Sequence, residues 1–216
     1  MKGDPFTPKL LQSLSPSQFD GAILMSYIEG TLLSFASLNL DLAFQIGAYL
    51  GSLHLKKVEH YGDVTENGKK YIDAASYFEE KFFEELDECK DHLPKKLVDF
   101  SASFLDKNKH LLKSVDGPLA IHRDFRPGNI LVQKGKLQGI IDWASARFGF
   151  AEQDFCQIVH KNTFLDPKRK DNFFAGYRSK KPLPSLEILP LLQLGRALAV
   201  IGFSVKTGQK ENFPIY

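Results

Sequence analysis

The stretch "LAIHRDFRPGNILVQKGKLQGIIDWASARFG", residues 119–149, constrains the fold more than any other part of the chain. Its apolar runs "PLAIH", "NILVQ" and "KLQGIID" are short, and "RDFRPG" and "KG" interrupt any helical period. The segment therefore reads as short strands joined by turns. Asp124 and Asn129 flank the first turn, Pro127 and Gly128 shape the loop between them, and Asp142 closes the following hairpin. That spacing lets three oxygen-bearing side chains gather at one end of a small sheet.

Such a trio suits phosphoryl transfer. A carboxylate positions the acceptor hydroxyl and takes its proton, while an Asn amide oxygen and a second carboxylate hold Mg²⁺ against the phosphates. Magnesium prefers hard oxygen ligands, and no thiolate is committed here. Two plainer readings compete. Asp and Asn favour turns on their own account. His122 and Asp124 with a distal His160 also match the facial triad of non-haem iron oxygenases. That triad leaves Asn129, Asp142 and Trp143 without a purpose, and the helical surroundings do not suit a β-sandwich.

Elsewhere the pattern is helical. "DLAFQIGAYLGSLHLKK" places Leu42, Ile46, Leu50 and Leu53 at helical spacing, with Asp41 as the expected N-cap. Residues 71–93 set Tyr71, Ala75, Phe78, Phe82, Cys89 and Leu93 on one face. Opposite them stand Glu79, Glu80, Glu84, Glu85, Asp87, Glu88 and Asp91, a face that is either solvated or attractive to a cationic acceptor. Pro94 breaks or restarts the helix, and "KKLVDFSASFLDKNKHLL" continues it. Further helices are expected from Glu152 to about Lys161, from Pro167 to about Arg178 and from Pro184 to about Lys206. At the N-terminus "PFTPKLLQSL" and "GAILMSYIEG" read as two short extended segments. No βαβ alternation occurs, which argues against a parallel doubly wound sheet.

Composition narrows the function classes. With 216 residues, 43% hydrophobic and 25% charged, the chain is globular in type. A net charge of +2 gives no reason to expect nucleic acid or an anionic membrane as partner. "LGRALAVIGFSV" looks too short to span a bilayer and holds Arg196. Cys89 and Cys156 form no disulfide framework and read as core residues. "MKGDPFTPKLLQSL" does not resemble a signal peptide, so a cytoplasmic protein is expected. His54, His60, His92 and His110 read as structural histidines.

"IHRDFRPGNILV" followed by "GIIDWASARFGFAEQDF" resembles the aminoglycoside phosphotransferase and choline kinase superfamily of kinase-fold enzymes. Trp143, the lone Trp, follows Asp142 where protein kinases usually carry Phe-Gly, which favours small-molecule kinases. "ILMSYIEG" is similar to the family's interlobe hinge and "LGSLHLK" to its first large-lobe helix. The resemblance implies an α+β fold: a kinase-like large lobe over residues 30–216, mainly helical with a small cluster of β-hairpins. Residues 1–29 would be a remnant of the small β lobe and the hinge.

The resemblance also implies roles. Asp124 would be the catalytic base, and Asn129 and Asp142 the Mg²⁺ ligands. The backbone of Ser26, Tyr27 and Ile28 would meet the adenine of ATP, with Leu131 and Ile141 as an apolar floor. Asp154 would brace the catalytic loop by accepting backbone hydrogen bonds, and His122 would support it too. Arg126 would contact phosphate or substrate, or form an ion pair. Arg123 stands where the family usually has Gly, which leaves the acceptor class open among sugars, amino sugars, choline-like alcohols and homoserine. The acceptor is expected among the catalytic loop, the helices of 71–114 and those after Pro167.

A kinase-fold enzyme also uses a Gly-rich loop, a nucleotide-anchoring Lys and a helix Glu ahead of the hinge. "MKGDPF" supplies no such loop, and Lys9 has no Glu partner nearby in sequence. Little activity is therefore expected of this chain alone. A longer reading frame, a partner chain supplying the lid, or a degenerate relative would each account for that. The alternative function is a pseudokinase or regulatory binding module.

Overall fold

A computed structural model describes residues 5–14, 22–159 and 166–208. Nine strands and six α-helices run in the order β1 (Leu10–Leu14), β2 (Ala22–Met25), β3 (Thr31–Leu32), α1 (Leu40–Leu53), β4 (Tyr61–Gly62), β5 (Lys70–Tyr71), α2 (Ala74–Cys89), α3 (Lys95–Asn108), β6 (Leu119–Ile121), β7 (Ile130–Gln133), β8 (Lys136–Ile140), β9 (Arg147–Gly149), α4 (Glu152–Ile158), α5 (Pro167–Arg178) and α6 (Leu189–Lys206), counted among the described residues. All strand pairs are antiparallel, as the lack of βαβ alternation predicts.

The chain divides into two compact units. The first comprises Met1–Ser52, Asp124–Ser145 and Ile158–Pro182. It holds the β1–β2 hairpin and the sheet β3-β7-β8. In that sheet Gln133 faces Lys136 across a two-residue turn, with Lys134 at φ 50° and Gly135 at φ 73°. This is the mirror-image turn that fits the twist of a hairpin, and Lys-Gly supplies it. Gln45 ties the hairpin to α1, accepting from the Leu137 N–H at 3.1 Å.

Helices α1 and α5 cross at their glycines. A methyl at Gly47 would lie 1.9 Å from the Phe173 carbonyl oxygen, and one at Gly176 would lie 2.0 Å from that of Phe44. Around this contact Leu42, Ile46, Leu50, Phe173 and Tyr177 are fully buried. The cap of α1 differs from expectation. Asn39 Oδ1 accepts from the Leu42 N–H at 2.7 Å, whereas Asp41 already lies inside the first turn and accepts from Gln45. A capping side chain must sit on extended backbone just before the helix, and Asn39 occupies that place.

The second unit comprises Leu53–Arg123, Ala146–Gln157 and Leu183–Tyr216. Its sheet has the order β5-β4-β9-β6. The helix expected over 71–93 is shorter, because Tyr71 belongs to β5 and Asp73 caps α2 through the Ser76 N–H at 2.8 Å. Tyr77, Phe78, Phe82, Leu86 and Cys89 of α2 pack with Phe150, Leu191, Leu192 and Leu198 into one core. Helix α6 starts at Leu189, not Pro184, with a Pro in its first turn. The shorter stretch read from sequence understated it. Its 18 residues, with mean hydropathy 1.3, are enough by length and composition to cross a membrane, yet its buried leucines belong to this core.

Candidate active site

In the first unit the loop after Asp124 folds back on itself. Phe125 is buried and anchors it. Residues Pro127–Asn129 make one tight turn, closed by the Asn129 N–H on the Arg126 carbonyl at 2.9 Å. Asn129, itself buried, then directs its amide at Asp124: Nδ2 donates to the Asp124 carbonyl at 2.9 Å and to its Oδ2 at 2.7 Å. With both amide hydrogens so engaged, Oδ1 of Asn129 is turned the other way. Arg126 Nε meets the same Asp124 Oδ2 at 3.0 Å.

The β7–β8 hairpin brings Asp142 to the same end. Ile130 stands opposite Ile140, and the Ile141 N–H donates to the Asn129 carbonyl at 3.0 Å. Asp142 follows with φ 60°, a left-handed conformation that Asp tolerates better than most residues. Trp143 Nε1 donates to the Ile140 carbonyl at 2.9 Å and closes the turn behind it. Asp142 is exposed, while Asp124 is partly covered. Three oxygen-bearing side chains thus stand on one short loop and one hairpin end, all hard donors of the kind Mg²⁺ accepts.

The segment expected to act as a hinge, Ser26–Ile28, lies in the same unit. Ser26 donates its N–H to the Lys9 carbonyl at 2.9 Å and accepts from the Lys9 N–H at 2.8 Å. Ile28 lies against Gly139, where an added methyl would come within 2.7 Å of Ile28 Cδ1. Leu131 is half-buried on β7, opposite Gly139, and Ile141 is half-buried at the end of the hairpin. A cleft of about 490 Å³ is lined among others by Tyr27, Glu29, Thr31 and Lys134. Asp124, Asn129 and Asp142 are not part of its lining.

In the second unit Asp154, buried on α4, gathers three donors. Its Oδ2 takes the His122 N–H at 2.9 Å and faces His54 Nε2 at 3.1 Å, and its Oδ1 takes the Arg123 N–H at 2.6 Å. Arg123 has φ 65°, a conformation that Gly adopts freely and other side chains resist. The carboxylate therefore holds a strained peptide next to Asp124 in sequence. His54 is thus the structural histidine that the sequence suggests, with Asp154 as the partner that the sequence did not name. Its place in "LGSLHLK", at the end of α1, carried no polar pattern to mark which carboxylate it would meet.

Other candidates resolve as follows. On the acidic face, Glu80 pairs with Lys69, Glu84 with Lys81, Asp87 with Lys90 and Glu88 with Lys206. Glu85 is half-buried, and burial followed by the nearby Glu88 pushes its carboxyl up, with Arg123, Lys81 and Lys206 pulling it back. Burial raises the thiols of Cys89 and Cys156 to about 11, so neither is a nucleophile near neutral pH. His160 of the iron-type triad lies outside the described residues, and within these no cluster of three His, Cys, Asp or Glu side chains could share a metal.

Known proteins share this architecture. A fructosamine-3-kinase assigned in Thermobifida fusca YX-ER1 superposes with TM-score 0.70 at 22% identity, over 93% of this chain and 70% of that one. A thermostable variant of aminoglycoside phosphotransferase APH(4)-Ia, in ternary complex with ADP and hygromycin B, gives TM-score 0.71 at 16% identity over 99% and 74%. These likenesses establish a mixed α/β kinase-like fold. In sequence, the homoserine kinase of Gluconobacter oxydans (strain 621H) is 34% identical over 85 residues, which is 36% of this chain and only 27% of that relative's length. The model of the phosphotransferase enzyme family, APH, matches residues 3–186, and with that extent of agreement the chain belongs to this family.

Proposed function

We propose that the chain is the catalytic part of an ATP- and Mg²⁺-dependent phosphotransferase that carries the γ-phosphate to a hydroxyl of a small molecule. The feature that supports this reading is the Asn129 amide, held on Asp124 by two bonds, in a residue whose carbonyl takes the N–H of Ile141, the neighbour of Asp142 in sequence. Asp124 orients the acceptor hydroxyl and takes its proton. Asn129 Oδ1 and the Asp142 carboxylate hold the magnesium, which when bound offsets the charge of the phosphates. Asp154 and His122 keep the loop backbone in place.

The Ser26 N–H is already spent on Lys9, so the adenine edge falls to the peptides of Tyr27 and Ile28, with Leu131 and Ile141 beneath the base. In this reading residues 30–216 form the large lobe and residues 1–29 the hinge with part of the small one. The partial likeness to a homoserine kinase favours a small amino alcohol or sugar as acceptor. The two free cysteines, Cys89 and Cys156, suit a reducing compartment such as the cytoplasm.

The test is Mg²⁺-dependent ADP binding by calorimetry, followed by phosphoryl transfer from ATP across a panel of small hydroxyl compounds. Asp124→Asn should cost at least about a hundredfold in turnover. Absence of even weak Mg²⁺-dependent nucleotide binding, the level expected of a site without a Gly-rich loop and an anchoring Lys, would refute the enzyme reading. That result would favour the second reading, a binding module, which the exposed Leu10, Leu11, Leu24 and Met25 on the β1–β2 hairpin support.

A further inference from the structure

We infer that Arg126 is a positioning residue for Asp124, and that Gly128 exists as the seat for its guanidinium. The inference rests on the phosphotransferase reading above and deepens it. Arg126 stands on extended backbone just before the tight turn at Pro127, so its side chain is free to fold back over the loop it introduces. Its Nε reaches Asp124 Oδ2 at 3.0 Å. The far end of the guanidinium lies over Gly128, where an added Cβ would come within 2.5 Å of Nη1 and 3.4 Å of Cζ. No other atom crowds that position, and Gly128 is not in the left-handed region. Alanine at 128 would therefore fit the backbone and collide only with the arginine.

Asn129 Nδ2 donates to the same Oδ2 at 2.7 Å. Asp124 is thus gripped through one oxygen from two directions, by an amide fixed in the turn and by a guanidinium resting on glycine. Two donors on Oδ2 fix the rotation of the carboxyl about its last bond. That rotation sets which oxygen faces an acceptor hydroxyl. An exposed pair of this kind contributes little to folding stability, so its effect should appear in geometry and rate. Arg126 reaching into phosphate instead would free Asp124 from the guanidinium. The two roles separate cleanly in measurement.

The experiment compares wild type with Arg126→Ala, Arg126→Lys, Gly128→Ala and the double variant R126A/G128A. The readouts are slow hydrolysis of MgATP, MgADP affinity by calorimetry, and the ¹⁵N-resolved Nε–H signal of Arg126. Wild type should show a protected Nε–H signal that Gly128→Ala abolishes. Gly128→Ala and Arg126→Ala should each lower turnover about tenfold to a hundredfold, the scale of a slightly misplaced reacting group. MgADP affinity should hold in both variants. The double variant should be no worse than Arg126→Ala, because the methyl then has nothing to displace. Lysine at 126, lacking the Nε–H fork, should restore little.

Three results would overturn the inference: no protected Nε–H in wild type, unchanged turnover in Gly128→Ala once that signal is lost, or a loss of MgADP affinity in Arg126→Ala with turnover intact at saturation. Failure of wild type to bind MgADP at all is a different outcome. It refutes the phosphotransferase reading and the positioning role with it, while the Nε–H signal still decides the ion pair.

Discussion

Replacing Asp154 with Ala tests the frame behind the loop. The carboxylate accepts the backbone N–H groups of His122 and Arg123 at 2.9 and 2.6 Å and faces His54 Nε2 at 3.1 Å. Asp154, His122 and His54 are all at most 1% exposed and Arg123 is half-buried, so water replaces little of what is lost. Each buried donor left unsatisfied costs about 1–3 kcal/mol. Arg123 at φ 65° adds strain of about 1 kcal/mol that the hydrogen bond had offset. Some relaxation will recover part of this, which leaves a loss of about 3–5 kcal/mol, the range found when one partner of a buried pair is removed. That is a large share of a typical domain stability of about 5–15 kcal/mol.

Urea unfolding measures the loss, and hydrogen exchange at the His122 and Arg123 amides locates it. Both amides should exchange far faster in Asp154→Ala than in wild type. Adding Arg123→Gly to that variant should recover about 1 kcal/mol, because glycine adopts the left-handed conformation without penalty. A loss below about 1 kcal/mol, with both amides still protected, would show that Asp154 does not support the loop.

Four further outcomes are expected. Gly47→Ala should destabilise by about 3 kcal/mol or more in urea unfolding, since its methyl meets the Phe173 carbonyl at 1.9 Å and the helices must part. Gly195→Ala is its control: the nearest atom is 3.4 Å away in Phe78, so the better helix former should stabilise α6 by about 0.5–1 kcal/mol. Cys89 and Cys156, raised by burial to about 11, stay protonated in the fold where unfolded thiols ionise. Their share of stability is complete below about pH 8.5 and should fade between there and about pH 11, with alkylation slow until unfolding. Asp142→Asn should weaken Mn²⁺ binding, read by water proton relaxation, while leaving urea stability within about 0.5 kcal/mol because the side chain is exposed.

Local order was legible in the sequence wherever one period governed a segment. The apolar spacing of 42–53 and 167–178 marked α1 and α5, and Lys134-Gly135 between two apolar runs marked the β7–β8 hairpin. Asp124, Asn129 and Asp142 stood out because Asp and Asn recur at hairpin ends with fixed spacing, a short-range property. The two-residue strands Thr31–Leu32, Tyr61–Gly62 and Lys70–Tyr71 did not, because segments so short carry no period and exist only where a partner strand pairs with them.

The cap of α1 and the role of His54 depended on which side chain could reach a donor or acceptor once the backbone was in place. Asn39 and Asp41 are equally good caps by residue type, and only the start of the helix chose between them. What the amino-acid order determined by itself was the antiparallel α/β layout and the spacing of the loop that bears Asp124, because both follow from local periodicity and turn chemistry. What tertiary structure alone decided was long-range: the meeting of His54 and Asp154 across 100 positions, and the bare backbone contact of Gly47 with Phe173. Such contacts are made by packing, and packing has no period to read.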